Sequence, residues 1–120
     1  SKLDECIVCA ISSVHTISSN SSNLYYSSSK AALEAAIRNF AIKKSNNTFY
    51  VIRLGATDTN KLRENIDNIE NINTLLPNGK VFIKNEVSSF IYMLNTKFKN
   101  LLNGAVIQID NGVLSMLKTS

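Results

Sequence analysis

The sequence predicts an α/β fold, a parallel sheet of three strands joined by crossover helices. Three observations carry it. Short apolar runs alternate with helically periodic segments in the order strand, helix, strand, helix, strand. Residues 6–12 are a short, continuous apolar run, as a strand covered on both faces requires. With 120 residues the chain is one domain at most, large enough to bury a core.

Each element has its own justification. Residues 6–12, "CIVCAIS", read as the first strand. Residues 31–44 place Leu33, Ala36, Ile37, Phe40 and Ala41 at i, i+3, i+4, i+7 and i+8, the stripe of a helix facing a core. That helix is expected to stop at "KKSNN", where cations suit the C-terminal dipole and Asn can take a left-handed cap. Residues 49–54, "FYVIRL", form the second strand. Asp58 or Thr59 is placed to cap a shorter helix with Leu62, Ile66 and Ile69 inward. "PNGK" at 77–80 reads as a turn. Asn85 is expected to cap a helix over 85–95, with Val87, Phe90, Ile91 and Leu94 on one face. The last strand spans 105–110 and ends at "DNG".

Composition narrows the function classes. The chain is 44% hydrophobic and 18% charged, ordinary for a soluble globular protein. Its net charge of +4 is dispersed, with Lys43-Lys44 the only adjacent basic pair, which argues against a nucleic-acid surface. No apolar run approaches the roughly 20 residues that span a bilayer, so no membrane partner is expected. The polar opening "SKLDE" is not a signal peptide, which points to a cytoplasmic protein. Cys6 and Cys9 spell C-x-x-C, but residues three apart on a strand face opposite ways, and no second pair follows. They are expected to be buried small hydrophobes, with no metal bound.

The stretch "SSVHTISSNSSNLYYSSSK" carries the chemistry. In parallel α/β sheets, functional loops lie past the carboxyl ends of strands, where Ser13 is placed. Tyr26 and Lys30, four apart at the start of the following helix, share a face. Tyr25 does not, being five residues from Lys30. A lone Tyr-x-x-x-Lys is a weak motif. Its weight comes from a serine thirteen positions upstream, an alanine-rich helix behind it and a strand ending at Gly55. The bland alternatives are a surface tyrosine and lysine, a strand-end hydroxyl at Ser13, a helix cap at Thr59 and a loop histidine at His15.

In these segments the chain closely resembles the short-chain dehydrogenase/reductase family. "CAISSVHT", "YSSSKAALEAAIRNFAI", "VIRLGATDT" and "GAVIQIDNG" match family segments in order and spacing, over nearly all 120 residues. "IRLGATDTNKLRENI" is similar to the branch that includes sepiapterin- and benzil-type carbonyl reductases. The resemblance implies the C-terminal half of a Rossmann-type doubly wound parallel sheet. It implies a catalytic Ser13-Tyr26-Lys30 set, with Tyr26, Lys30, Gly55 and Thr59 against the cofactor, NAD or NADP, and a small carbonyl or alcohol as substrate. The chemistry suits these residue types. Reduction of a carbonyl leaves an oxyanion that needs a proton, which a phenol can donate. A nearby ammonium favours the phenolate, and a serine hydroxyl can hold the substrate oxygen.

The resemblance has departures. Leu54 stands where the family has proline before Gly55, and Asp110-Asn111-Gly112 replaces Asp-Gly-Gly, although Asn tolerates a left-handed backbone. The four glycines lie far apart, and no glycine-rich phosphate turn can be written. Residues 1–120 are therefore expected to be the C-terminal part of one NAD(P)-binding domain, inactive alone. The alternative is a catalytically silent, family-derived interaction module that binds no dinucleotide. An open edge at the first strand and the small residues Ala32, Ala35, Ala36 and Ala41 on the first helix predict a homo-oligomer, or association with the upstream part of the same domain.

Overall fold

The structure, a computed structural model, describes residues 5–13, 24–55, 57–58 and 82–112. The chain runs β1 (Ile7–Ser13), α1 (Leu24–Ala41), β2 (Thr48–Leu54), β3 (Thr57–Asp58), β4 (Phe82–Ile83), α2 (Lys84–Lys97), a 3-10 turn (Lys99–Leu101) and β5 (Val106–Ile109). The three predicted strands make one sheet in the order β1-β2-β5, parallel throughout. Register aligns Ser13 with Leu54 and Leu54 with Ile109, so the three strands finish together at one carboxyl edge.

The middle strand is covered on both faces. Tyr50, Val51 and Ile52 have no exposed surface at all. Tyr50 and Ile52 pack with Leu94 and Leu102, with Phe90 and Ile91 of α2 around them. Val51 packs instead with Ala10 of β1 and Ile37 of α1. Helices therefore cover both faces. A fully buried Val or Ile contributes roughly 1.5–3 kcal/mol relative to exposure, so this strand anchors the fold.

Several expectations need correction. The predicted inner stripe of α1 is only partly inward: Leu33 and Phe40 are 36% and 47% exposed. The buried row is Ser27, Glu34, Ile37 and Ala41. Glu34 forces this rotation, because its carboxylate is bonded to groups on β1 and β2. Phe40 instead stacks on Phe49 with ring centroids 5.6 Å apart. The helix ends at Ala41 without a left-handed asparagine. The Asn103 side chain donates to the Ala41 carbonyl at 2.9 Å and accepts the Phe49 N–H at 3.0 Å, tying the helix end to β2. Asn85 lies in the first turn of α2; the cap position is Ile83, which makes no side-chain cap bond. Asp58 is a strand residue, paired with Ile83 in the short parallel ladder β3-β4, and the helix it was expected to cap lies outside the described residues. A two-residue pairing between distant segments leaves no periodic trace in sequence. The predicted helix around Leu62, Ile66 and Ile69, the 77–80 turn, His15 and Thr59 lie outside the described residues.

The cysteines also differ from expectation. Cys6 is exposed and precedes the strand, its N–H donating to Asn47 Oδ1 at 2.9 Å. Cys9 is half-buried beside Tyr50, and burial pushes its thiol up. Burial also pushes the Tyr50 phenol up, with its hydroxyl donating to Asn95 Oδ1 at 2.6 Å. The substitution of Asn within "DNG" is accommodated as expected: Asn111 has φ 58°, and Gly112 donates its N–H to Asp110 Oδ1 at 3.0 Å.

Candidate active site

The carboxyl edge of the sheet collects the predicted residues. Ser13 is the last residue of β1 and is buried. α1 begins seven residues before the expected start, so Tyr26 and Lys30 fall in its first two turns. Their four-residue spacing brings the side chains together, with Lys30 Nζ 5.8 Å from the centroid of the Tyr26 ring. Lys30 Nζ also donates to the Ile11 carbonyl at 2.9 Å, which fixes the ammonium two residues from Ser13. Tyr26 is 41% exposed, open to a small molecule approaching the edge. The arrangement thus offers an ammonium over the ring of a phenol, anchored to the strand two residues before its terminal serine.

Gly55 follows β2 at the same edge, and its N–H donates to the Ile109 carbonyl at 2.9 Å. A Cβ built there would lie 2.8 Å from Asp110 Cα. The structure therefore gives this glycine a packing reason: β2 leaves the sheet against the backbone of the β5 end. A cavity of about 440 Å³ opens at Asp110, lined also by Phe82, Val87, Phe90, Ile109 and Gly112. Its described lining does not include Ser13, Tyr26 or Lys30.

Beneath the edge lies a polar cluster that the apolar periodicity concealed. Glu34 is only 2% exposed. Arg53 grips it with Nη2–Oε1 at 2.8 Å and Nε–Oε1 at 3.0 Å, and Ser12 Oγ donates to Oε2 at 2.6 Å. Arg38 stands 3.6 Å away on the outer side. A buried carboxylate requires such partners, since an unpaired one costs several kcal/mol. One sequence signal pointed to it: Arg53 is the lone charge in "FYVIRL". One buried oxygen nearby has no partner among the described residues, Ser27 Oγ.

Comparisons with known proteins agree with this fold. A family model described as enoyl-(acyl carrier protein) reductase matches residues 4–114. No curated protein matches the chain by sequence. Among solved structures, a short-chain glucose/ribitol dehydrogenase from Brucella melitensis superposes with TM-score 0.77 at 17% identity, covering 89% of this chain and 44% of that one. A 3-ketoacyl-(acyl-carrier-protein) reductase from Brucella melitensis, complexed with NADH, gives TM-score 0.77 at 15% identity over 94% of this chain and 46% of that one. ElxO with NADP bound gives TM-score 0.77 at 25% identity over 91% and 46%. The chain thus spans less than half the length of these proteins. With a family model matched along almost its whole length and a sheet that superposes on family structures, the chain belongs to the short-chain dehydrogenase/reductase family.

Proposed function

We propose that these residues form the proton-donating part of an NAD(P)H-dependent carbonyl reductase. Ser13, Tyr26 and Lys30 are its catalytic set, and residues 1–120 are the C-terminal part of one dinucleotide-binding domain. The observation that carries the reading is the contact of Lys30 with Tyr26 at the carboxyl edge of a parallel sheet. The NADH- and NADP-bound relatives support the cofactor class. The donor set here suits the ribose end of a dinucleotide, since an ammonium lies over a partly exposed phenol. No glycine-rich turn for its phosphates can be written in these 120 residues, whose four glycines lie far apart.

NAD(P)H, when bound, supplies the hydride that reduces the carbonyl carbon. Tyr26 then gives its O–H proton to the substrate oxygen, yielding an alcohol and a phenolate. Lys30 stabilises that phenolate by its charge. Ser13 holds the substrate oxygen by a hydrogen bond so that the proton has a short path. The substrate is a small carbonyl compound or, in reverse, an alcohol.

Exposed apolar side chains along α1, including Tyr25, Leu33 and Phe40, support assembly into a homo-oligomer. A second reading is a catalytically silent, family-derived module that binds no dinucleotide. The deciding measurement uses the full-length protein. Tyr26→Phe should lower kcat for carbonyl reduction by about 10²–10⁴-fold while leaving NADPH affinity close to wild type. Robust turnover by this variant excludes Tyr26 as the acid, and absence of NADPH binding by the wild type selects the silent module.

A further inference from the structure

Two side chains one helical turn apart on α1 grip two successive residues of β1. Lys30 Nζ holds the Ile11 carbonyl at 2.9 Å, and Glu34 Oε2 accepts from Ser12 Oγ at 2.6 Å. The next residue of the strand is Ser13. Glu34 is at the same time clamped by Arg53, which lies beside Ser12 in the β1-β2 register. One buried carboxylate therefore ties together the three elements that present the site: the end of β1, the end of β2 and the middle of α1.

We propose that Glu34, with Arg53 and Ser12, is a positioning cluster that sets the register of α1 against β1. It thereby fixes Tyr26 and Lys30 relative to Ser13. The inference rests on the reading of those three residues as the catalytic set. The physical reason is directional. Apolar contacts such as Ile37 on Val51 and Ala10 hold the helix to the sheet but tolerate sliding. A carboxylate that must satisfy a guanidinium fork and a hydroxyl has one geometry. A hydrophobic replacement supplies adhesion without that restraint, and misplacement by about 1 Å at a reacting centre can cost on the order of 10²-fold in rate.

The test replaces the pair in the full-length protein by apolar residues of similar volume, Glu34→Leu with Arg53→Met. Such swaps of buried ion pairs are often neutral or stabilising, so thermal unfolding should stay within about 5 °C of wild type. Amide hydrogen exchange should nonetheless accelerate by about tenfold or more over residues 9–13 and 24–34. The kcat for carbonyl reduction should fall by about 10- to 100-fold, while NADPH affinity changes by less than about threefold because no proposed contact is removed. Should the double variant not fold, Ser12→Ala removes only the 2.6 Å bond and is read by the same exchange and kcat measurements. Unchanged exchange over those segments, or wild-type kcat in a variant lacking the cluster, overturns the proposal. A wild-type enzyme that reduces no carbonyl refutes the catalytic reading instead, and exchange alone then decides the register lock.

Discussion

Replacing Gly55 by alanine probes a place where two backbones meet closely. The added Cβ would lie 2.8 Å from Asp110 Cα and 3.3 Å from Asp110 C and Cβ. Carbon atoms rest at about 3.5–4.0 Å, so the nearest contact is roughly 0.7 Å too short. Neither side can yield by rotating a side chain, because the closest atoms belong to the Asp110 main chain. Moving β2 away lengthens the 2.9 Å bond from Gly55 N–H to the Ile109 carbonyl. Overpacking of this kind costs about 1–3 kcal/mol, and a weakened backbone bond adds up to about 1 kcal/mol. Alanine also lowers the entropy of the unfolded chain, returning about 0.4–1 kcal/mol. Gly55→Ala should therefore destabilise by about 1–3 kcal/mol, read in urea unfolding of the full-length protein as a lower midpoint at unchanged slope. A midpoint equal to or above wild type would refute the steric account. The same variant separates packing from cofactor contact at Gly55. NADPH affinity should remain near wild type if packing alone demands the glycine, and it should fall if Gly55 also touches the nicotinamide as the family resemblance implies.

Two further outcomes follow from burial. Ser27 Oγ is buried without a partner among the described residues, with the residue 7% exposed. Ser27→Ala should thus stabilise the protein by about 1 kcal/mol, measured by chemical denaturation; a loss of stability would reveal a bond that this oxygen makes. Alkylation with iodoacetamide at neutral pH should label exposed Cys6 well before half-buried Cys9, whose thiol burial pushes up. Peptide mass spectrometry reads the order, and equal rates would contradict the packing of Cys9 against Tyr50.

The amino-acid sequence determined the strands, their parallel order and the candidate chemical set. Those features are written in local patterns: short apolar-rich runs at 6–12, 49–54 and 105–110, and a four-residue spacing that puts Tyr26 and Lys30 on one helical face. Asn111 was equally legible, because few residues besides glycine accept a left-handed backbone. What only the tertiary structure decided was which row of α1 meets the sheet. Periodicity ranks residues by their apolar character and chose Leu33 and Phe40. The folded chain buried Glu34 instead, because Arg53 and Ser12, distant in sequence, converge to neutralise and bond it. The same holds for the β3-β4 ladder that claims Asp58, and for Asn103, which closes the end of α1 in place of a local asparagine. Each rests on a partner far along the chain, whose arrival no local pattern encodes.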